Sequence, residues 1–253
     1  MNKYNEDLLV LAGIFVTGSY FCASNQKPGT MQRYNVFLQI HKGLRVMLYD
    51  TSTALQQADL ETAGADHPAL KKLAATLDFF DGHAHHEDTH VFSMLQQFEP
   101  EFVTAMEAEH VADHALSDEL RSLILDLRQA TSPEEKYAIG NRLCHTFNAF
   151  TVFNLTHLHK EETEVNELLW KHYTDMDIIV ANRQLVATLT PDEAQQSAYW
   201  MLRSGSDNEL AKLFAGMKAG APAEAFAGLM AMAREVLPAD RFEKLESRIS
   251  VAV

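Results

Sequence analysis

Downstream of residue 30, apolar positions recur at three- and four-residue steps, with no convincing run of strand-like alternation. Tyr34, Phe37, Leu38, His41, Leu44 and Leu48 form one stripe, predicting a first helix over about 33–57. Gly64 and Pro68 punctuate the segment 58–68. A second helix then runs to about Phe98, and Pro100 opens a third that continues to about Gln129. Ser132-Pro133-Glu134-Glu135 reads as a capping box with proline at the first helical position. It starts a fourth helix, to about Tyr173. Four long helices on short connections predict an all-α, antiparallel, up-down-up-down four-helix bundle.

A second capping box, Thr190-Pro191-Asp192-Glu193, opens a stretch of shorter helices. Breaks are expected near 204–206, 220–222 and Pro238, and this stretch contains no histidine. The expected division is therefore 31–188 for the bundle with a trailing helix and 189–253 for an appended C-terminal helical unit. Phe214, Met217, Phe226, Leu229 and Met230 mark an apolar stripe in that unit. Packing on the bundle is its plain reading; a homodimer face or a partner-recognition surface is the alternative. Residues 1–30 read as an extension. Leu8–Cys22 is apolar, but Glu6 and Asp7 precede it, where a signal peptide carries positive charge. The run is also too short and interrupted to span a bilayer.

The composition narrows the function. The net charge is -14, which disfavours nucleic acid and anionic membrane surfaces as partners. Two distant cysteines, Cys22 and Cys144, exclude a thiolate zinc site and a disulfide scaffold and fit a reducing cytoplasm. The twelve histidines are the feature to explain, because many fall at helical spacing.

Residues four apart share a helix face. The second helix carries His83 and Glu87, the third His110 and His114, the fourth His157 and Glu161. The first adds His41 in mid-stripe. One such pair is ordinarily a solvated pair or a hydrogen-bonded core histidine. Three pairs on consecutive helices, with His41, make a site. Register supplies a second test. His83 with His114, and Glu87 with His110, are both centred on 98–99, where the chain breaks before Pro100. His41 with 83–87 centres on 62–64, within the first loop. The third and fourth helices centre on 135–136, slightly past the expected turn. All four helices thus present their ligand-type residues at nearly one depth.

Five imidazoles and two carboxylates are too many for one ion. They suit two metals about 3.5–4 Å apart, bridged by carboxylate. Nitrogen and oxygen donors without sulfur fit iron, with manganese next; zinc prefers four ligands. His86 and His90 share the ligand face of the second helix as further candidates. His85, His159 and Glu162 read as solvated, His145 as structural, and Tyr34 as core. Gly82 within the second helix costs about 1 kcal/mol relative to alanine and marks close packing.

These segments resemble the hemerythrin, or HHE cation-binding, family. The resemblance rests on His41-Lys42-Gly43-Leu44-Arg45, on His83-Ala84-His85-His86-Glu87-Asp88 followed by Val91-Phe92, on Glu109-His110 with His114, and on His157-Leu158-His159-Lys160-Glu161-Glu162. It covers roughly 33–175. It implies a non-haem di-iron site with His41, His83, Glu87, His110, His114, His157 and Glu161 as ligands and the two glutamates as bridges. The implied role is binding of dioxygen, nitric oxide or peroxide for sensing, storage or detoxification. Oxygen-carrying members place an aspartate five residues after the fourth-helix histidine; here Glu161 follows at four, which weakens the link to oxygen transport. Two other functions compete. A ferritin-like di-iron oxidase or iron store has Glu87-x-x-His90 and Glu107-x-x-His110 in its favour, but it needs a first-helix glutamate, and 32–60 has none. A metal-dependent interaction or regulatory module would use the C-terminal helices.

Overall fold

A computed structural model describes residues 33–62 and 66–251. The expectations for residues 1–30 lie outside the described residues. Every regular element among the described residues is helical. The helices are α1 (Leu38–Gln56), α2 (Pro68–His86), α3 (Pro100–Gln129), α4 (Pro133–Lys160), α5 (Asp175–Thr188), α6 (Pro191–Ser204), α7 (Asp207–Gly220), α8 (Ala223–Val236) and α9 (Ala239–Val251). After α2 the chain continues through a π-helical turn, Glu87–Phe92, into a short α segment, Ser93–Leu95. After α4 it does the same through Glu161–Val165 into Asn166–His172.

The chain divides into two compact units. Among the described residues, one is built from 44–168; the other joins 33–43 to 169–251. Helix α1 is continuous across the first boundary.

In the 44–168 unit, side-chain pairs link the helices and give the relative directions of α2, α3 and α4. Between α1 and α2, Thr51 and Thr76 share a hydrogen bond at 2.8 Å and Asp50 pairs with Lys72. Between α2 and α3, Arg121 reaches Asp78 while Asp88 reaches His110, so the chains run oppositely. Asn154 on Asp113 and Arg142 on Glu119 give the same sense for α3 and α4. Leu44, Leu48, Leu55, Leu73, Leu77, Leu120, Leu143, Phe147 and Phe150 fill the interior. Phe80 meets Phe150 edge-on at 5.3 Å. Burying each such side chain is worth roughly 1.5–3 kcal/mol, which is what holds the four helices together.

Helix ends follow local chemistry. The expected start at Arg33 moves to Leu38, because the Asn35 side chain accepts from the amides of Phe37 and Leu38 and stops the helix there. Ser132 caps α4 as expected, though Glu135 reaches back to the Thr131 amide instead of completing the box. Thr190 forms the full box, and Thr174 and Ser206 form two more that open α5 and α7.

The second unit has its own interior. Leu202, Leu213, Phe214, Met217, Leu229, Phe242 and Leu245 are buried together, with Phe226 and Met230 packed partly against them. The C-terminal stripe is thus covered by helices of its own unit. Arg33, released from α1, ties the two arms of this unit: its guanidinium donates to the carbonyls of Trp170 and Tyr173 and to Asp175. Tyr34 does not enter the helix either; its hydroxyl accepts from Asn182, and burial pushes its pKa up to about 12 against the pull of that hydrogen bond. No helix among the described residues is long and apolar enough to cross a membrane.

Candidate metal centre

Two buried glutamates sit at the middle of the bundle, each at the first residue of a π-helical turn. A π turn places an extra residue in the helical circuit, and such insertions gather at functional positions. Here the turns leave His83 and Glu87, and likewise His157 and Glu161, on one face, with the histidine in the α-helix and the glutamate at the start of the wider turn. Glu87 Oε1 lies 3.0 Å from His83 Nε2, while its Oε2 turns the other way, 3.7 Å from His110 Nε2. Glu161 Oε1 lies 3.1 Å from His157 Nε2 and 3.9 Å from His110 Nε2.

Glu87, His110, His157 and Glu161 each offer a ligand atom within 4.8 Å of the others, and all four are buried. His83 can join Glu87 and Glu161 in the same way. The two carboxylates are therefore common to both groupings, and Glu87 has one oxygen toward each.

The imidazoles are oriented from behind. His110 Nδ1 meets Asp88 at 2.8 Å and His157 Nδ1 meets Glu109 at 2.7 Å. An ionised carboxylate only accepts, so each Nδ1 carries a hydrogen, and in the neutral ring the Nε2 lone pair is the one left for a metal. Phe92 stacks on the His110 ring at 5.4 Å and Phe153 on that of His157 at 6.2 Å. The two Nε2 atoms then face each other at 3.0 Å beside Glu161. Two lone pairs and a carboxylate converging in a buried space require a proton or a cation between them. The same demand shows in His157. Burial works against its charged form, but Glu161 first, then Glu109 and Glu87, outweigh that and raise its pKa to about 10. The donors are nitrogen and oxygen only, which suits a first-row metal ion. The residues fit a bound metal.

The hemerythrin HHE cation binding domain model matches residues 27–169, more than half of the chain. The chain belongs to the hemerythrin HHE cation-binding family. As in the family's name, the domain binds metal cations, and the His/Glu cluster of this member could hold an ion. No curated protein and no solved structure gave a match.

The residues expected from the sequence divide as follows in this hemerythrin-family chain. His83, Glu87, His110, His157 and Glu161 are brought together. His41 is fully buried on α1, three residues before Leu44, its ring 5.0 Å from Phe37. His114 is not among them. Its side chain is 44% exposed, and its Nδ1 meets Asp81 at 3.0 Å, where Arg121 also binds. His86 and His90 stand beside each other, rings 6.5 Å apart, outside both groupings. His85 and His159 are exposed as expected; so is His145, which has no structural role in the core. Glu162 is not simply solvated: it accepts from Arg45 at 2.6 Å. Asp88 and Glu109 were missed as working residues. Their only sequence signal is position, since each neighbours a ligand-type residue on the same helix.

Proposed function

We propose that the bundle holds a non-haem di-iron centre that binds dioxygen, or a related small ligand such as nitric oxide or peroxide, for sensing, storage or detoxification. The observation that carries this reading is the sharing of Glu87 and Glu161 between two groupings of buried donors. Carboxylates common to two sets are what a pair of ions about 3.5–4 Å apart requires. On one side stand His110 and His157, on the other His83. His41, the first-helix donor expected from the sequence, is kept in the proposed set. His114 is left out, being engaged by Asp81.

Two irons, when bound, would supply open coordination positions and a reversible change of oxidation state. The chain's own residues determine what those positions meet. Phe92 and Phe147 are fully buried in the bundle and Phe153 stacks on His157, so the surroundings exclude bulk water. Histidine outnumbers carboxylate, which favours ligand binding over the carboxylate-rich ferritin-like oxidase arrangement.

Metal analysis of the purified full chain tests the proposal. Two irons per chain are expected, falling to one or none in Glu87→Ala and His157→Ala. An optical spectrum of the reduced protein before and after air separates a reversible binder from an enzyme. A stoichiometry of one or less in the wild type, unchanged by either substitution, would overturn the di-iron reading.

A further inference from the structure

Glu109 belongs to neither donor grouping, yet it grips a member of one. Its Oε2 accepts from His157 Nδ1 at 2.7 Å and its Oε1 from Lys160 Nζ at 2.5 Å. Lys160 follows His157 by three residues on α4, so the two side chains share a face and reach the same carboxylate on α3. Lys160 also lies over the Phe102 ring, 5.5 Å from its centroid, two turns before Glu109 on the same α3 face. On the ring itself, Phe153 stacks nearly parallel, at 12°.

We propose that Glu109, clamped by Lys160, is a positioning residue that fixes the tautomer and aim of His157 toward the metal. An unheld imidazole carries its hydrogen on either nitrogen and turns about its χ2 axis. Glu109 admits only the Nδ1–H form, and so presents the Nε2 lone pair to the centre. It also makes the ring a better donor, since a carboxylate behind a ligating histidine raises its basicity. Lys160 occupies the second oxygen, so the carboxylate cannot turn away into solvent. The partner arm lacks this device. Asp88 holds His110 Nδ1 at 2.8 Å, but it is itself 37% exposed, and among the described residues it pairs with no lysine or arginine. The clamp is therefore one-sided, and His157 is the stiffer ligand.

This inference rests on the metal-binding reading above, and its test separates the two. The iron-loaded full chain is challenged with excess chelator, and the rate of iron loss and the optical spectrum of the ferric form are recorded. Glu109→Ala is expected to lose iron about ten- to a hundredfold faster with an altered spectrum. Glu109→Gln, which keeps an acceptor oxygen, falls between it and the wild type. Lys160→Gln shifts both readouts in the same direction by less. Asp118→Asn, on the exposed edge of the Arg121 cluster, changes neither. If Glu109→Ala does not fold, the partly exposed Lys160→Gln decides. Wild-type iron retention and spectrum in both Glu109→Gln and Lys160→Gln would overturn the positioning role while leaving the di-iron reading intact. Lowered thermal stability with those readouts unmoved would overturn it too. A wild-type chain that takes up no iron would remove both.

Discussion

His110 and His114 stand one turn apart on α3 and have different surroundings. His110 is buried, stacked on Phe92 and held by Asp88. His114 is turned to the rim, where Asp81 holds it and Arg121 shares that carboxylate. A step of four residues carries a side chain about 6 Å along the helix and about 40° around it. That displacement takes His114 from the donor groupings to the polar rim. Replacing His110 with alanine is expected to cost the chain at least one bound metal. Replacing His114 is expected to leave metal content at the wild-type value and to change stability by no more than about 1 kcal/mol, the scale of an exposed ion pair. Metal analysis and urea denaturation of the two variants check this; loss of iron from His114→Ala would return that residue to the ligand set. The depth of both histidines was legible in the sequence, because antiparallel register fixes height. Their azimuth was not, because it depends on where α2 widens into its π turn and on which carboxylate reaches each ring first.

The helices begin where local chemistry says they must, and for that reason most of their starts were readable. Pro100, Ser132-Pro133 and Thr190-Pro191 each fall at a helix start. The π turns at Glu87–Phe92 and Glu161–Val165 were not readable. A widened turn uses the same residue types as a regular one, and each begins here at a buried glutamate. Glycines inside helices show the same division between local and tertiary causes. A Cβ on Gly43 of α1 would lie 3.1 Å from Trp200 Cβ and 3.3 Å from the Trp200 carbonyl carbon on α6. The close approach is what the glycine permits. A Cβ on Gly228 of α8 would meet nothing within 4 Å. Helix propensity favours alanine by about 1 kcal/mol at both positions. Gly228→Ala should therefore raise unfolding free energy by about that amount. Gly43→Ala should gain nothing, and Gly43→Leu should destabilise by more than about 1 kcal/mol, as overpacking does. Equal gains from alanine at both positions in denaturant titrations would show that the Trp200 contact imposes no constraint.

At the scale of the whole molecule, a composition break at 188–189 was legible, but the division of contacts falls at 43–44 and 168–169. The chain returns to its N-terminal arm through Arg33, Tyr34 and Lys42, whose partners Asp175, Asn182 and Glu209 are remote in sequence and ordinary in type. Nothing local marks such pairs. The division matters for what metal removal should do. In the 44–168 unit, Glu87 and Glu161 are carboxylates with almost no exposure, facing histidines across a small buried space. Carboxylates that converge with imidazole nitrogens in a buried space are held more firmly by a multivalent cation than by protons, so a bound metal is expected to stabilise this unit beyond its packing. A ligand at a thousand times its dissociation constant adds about 4 kcal/mol. For a chain of this size that corresponds to a fall of roughly ten degrees in melting temperature when the metal is stripped. Helices α7, α8 and α9 are buried against one another through Phe214, Met217, Leu229 and Leu245, and none of these residues is a metal donor. Chelation should therefore lower amide protection in α2, α3 and α4 and leave α7 to α9 at their metal-bound values. Hydrogen exchange on the loaded and stripped chain reads both regions at once. A uniform loss across all helices would mean that the metal stabilises the two units as one cooperative body, and an unchanged melting temperature would mean that the buried carboxylates are satisfied without it.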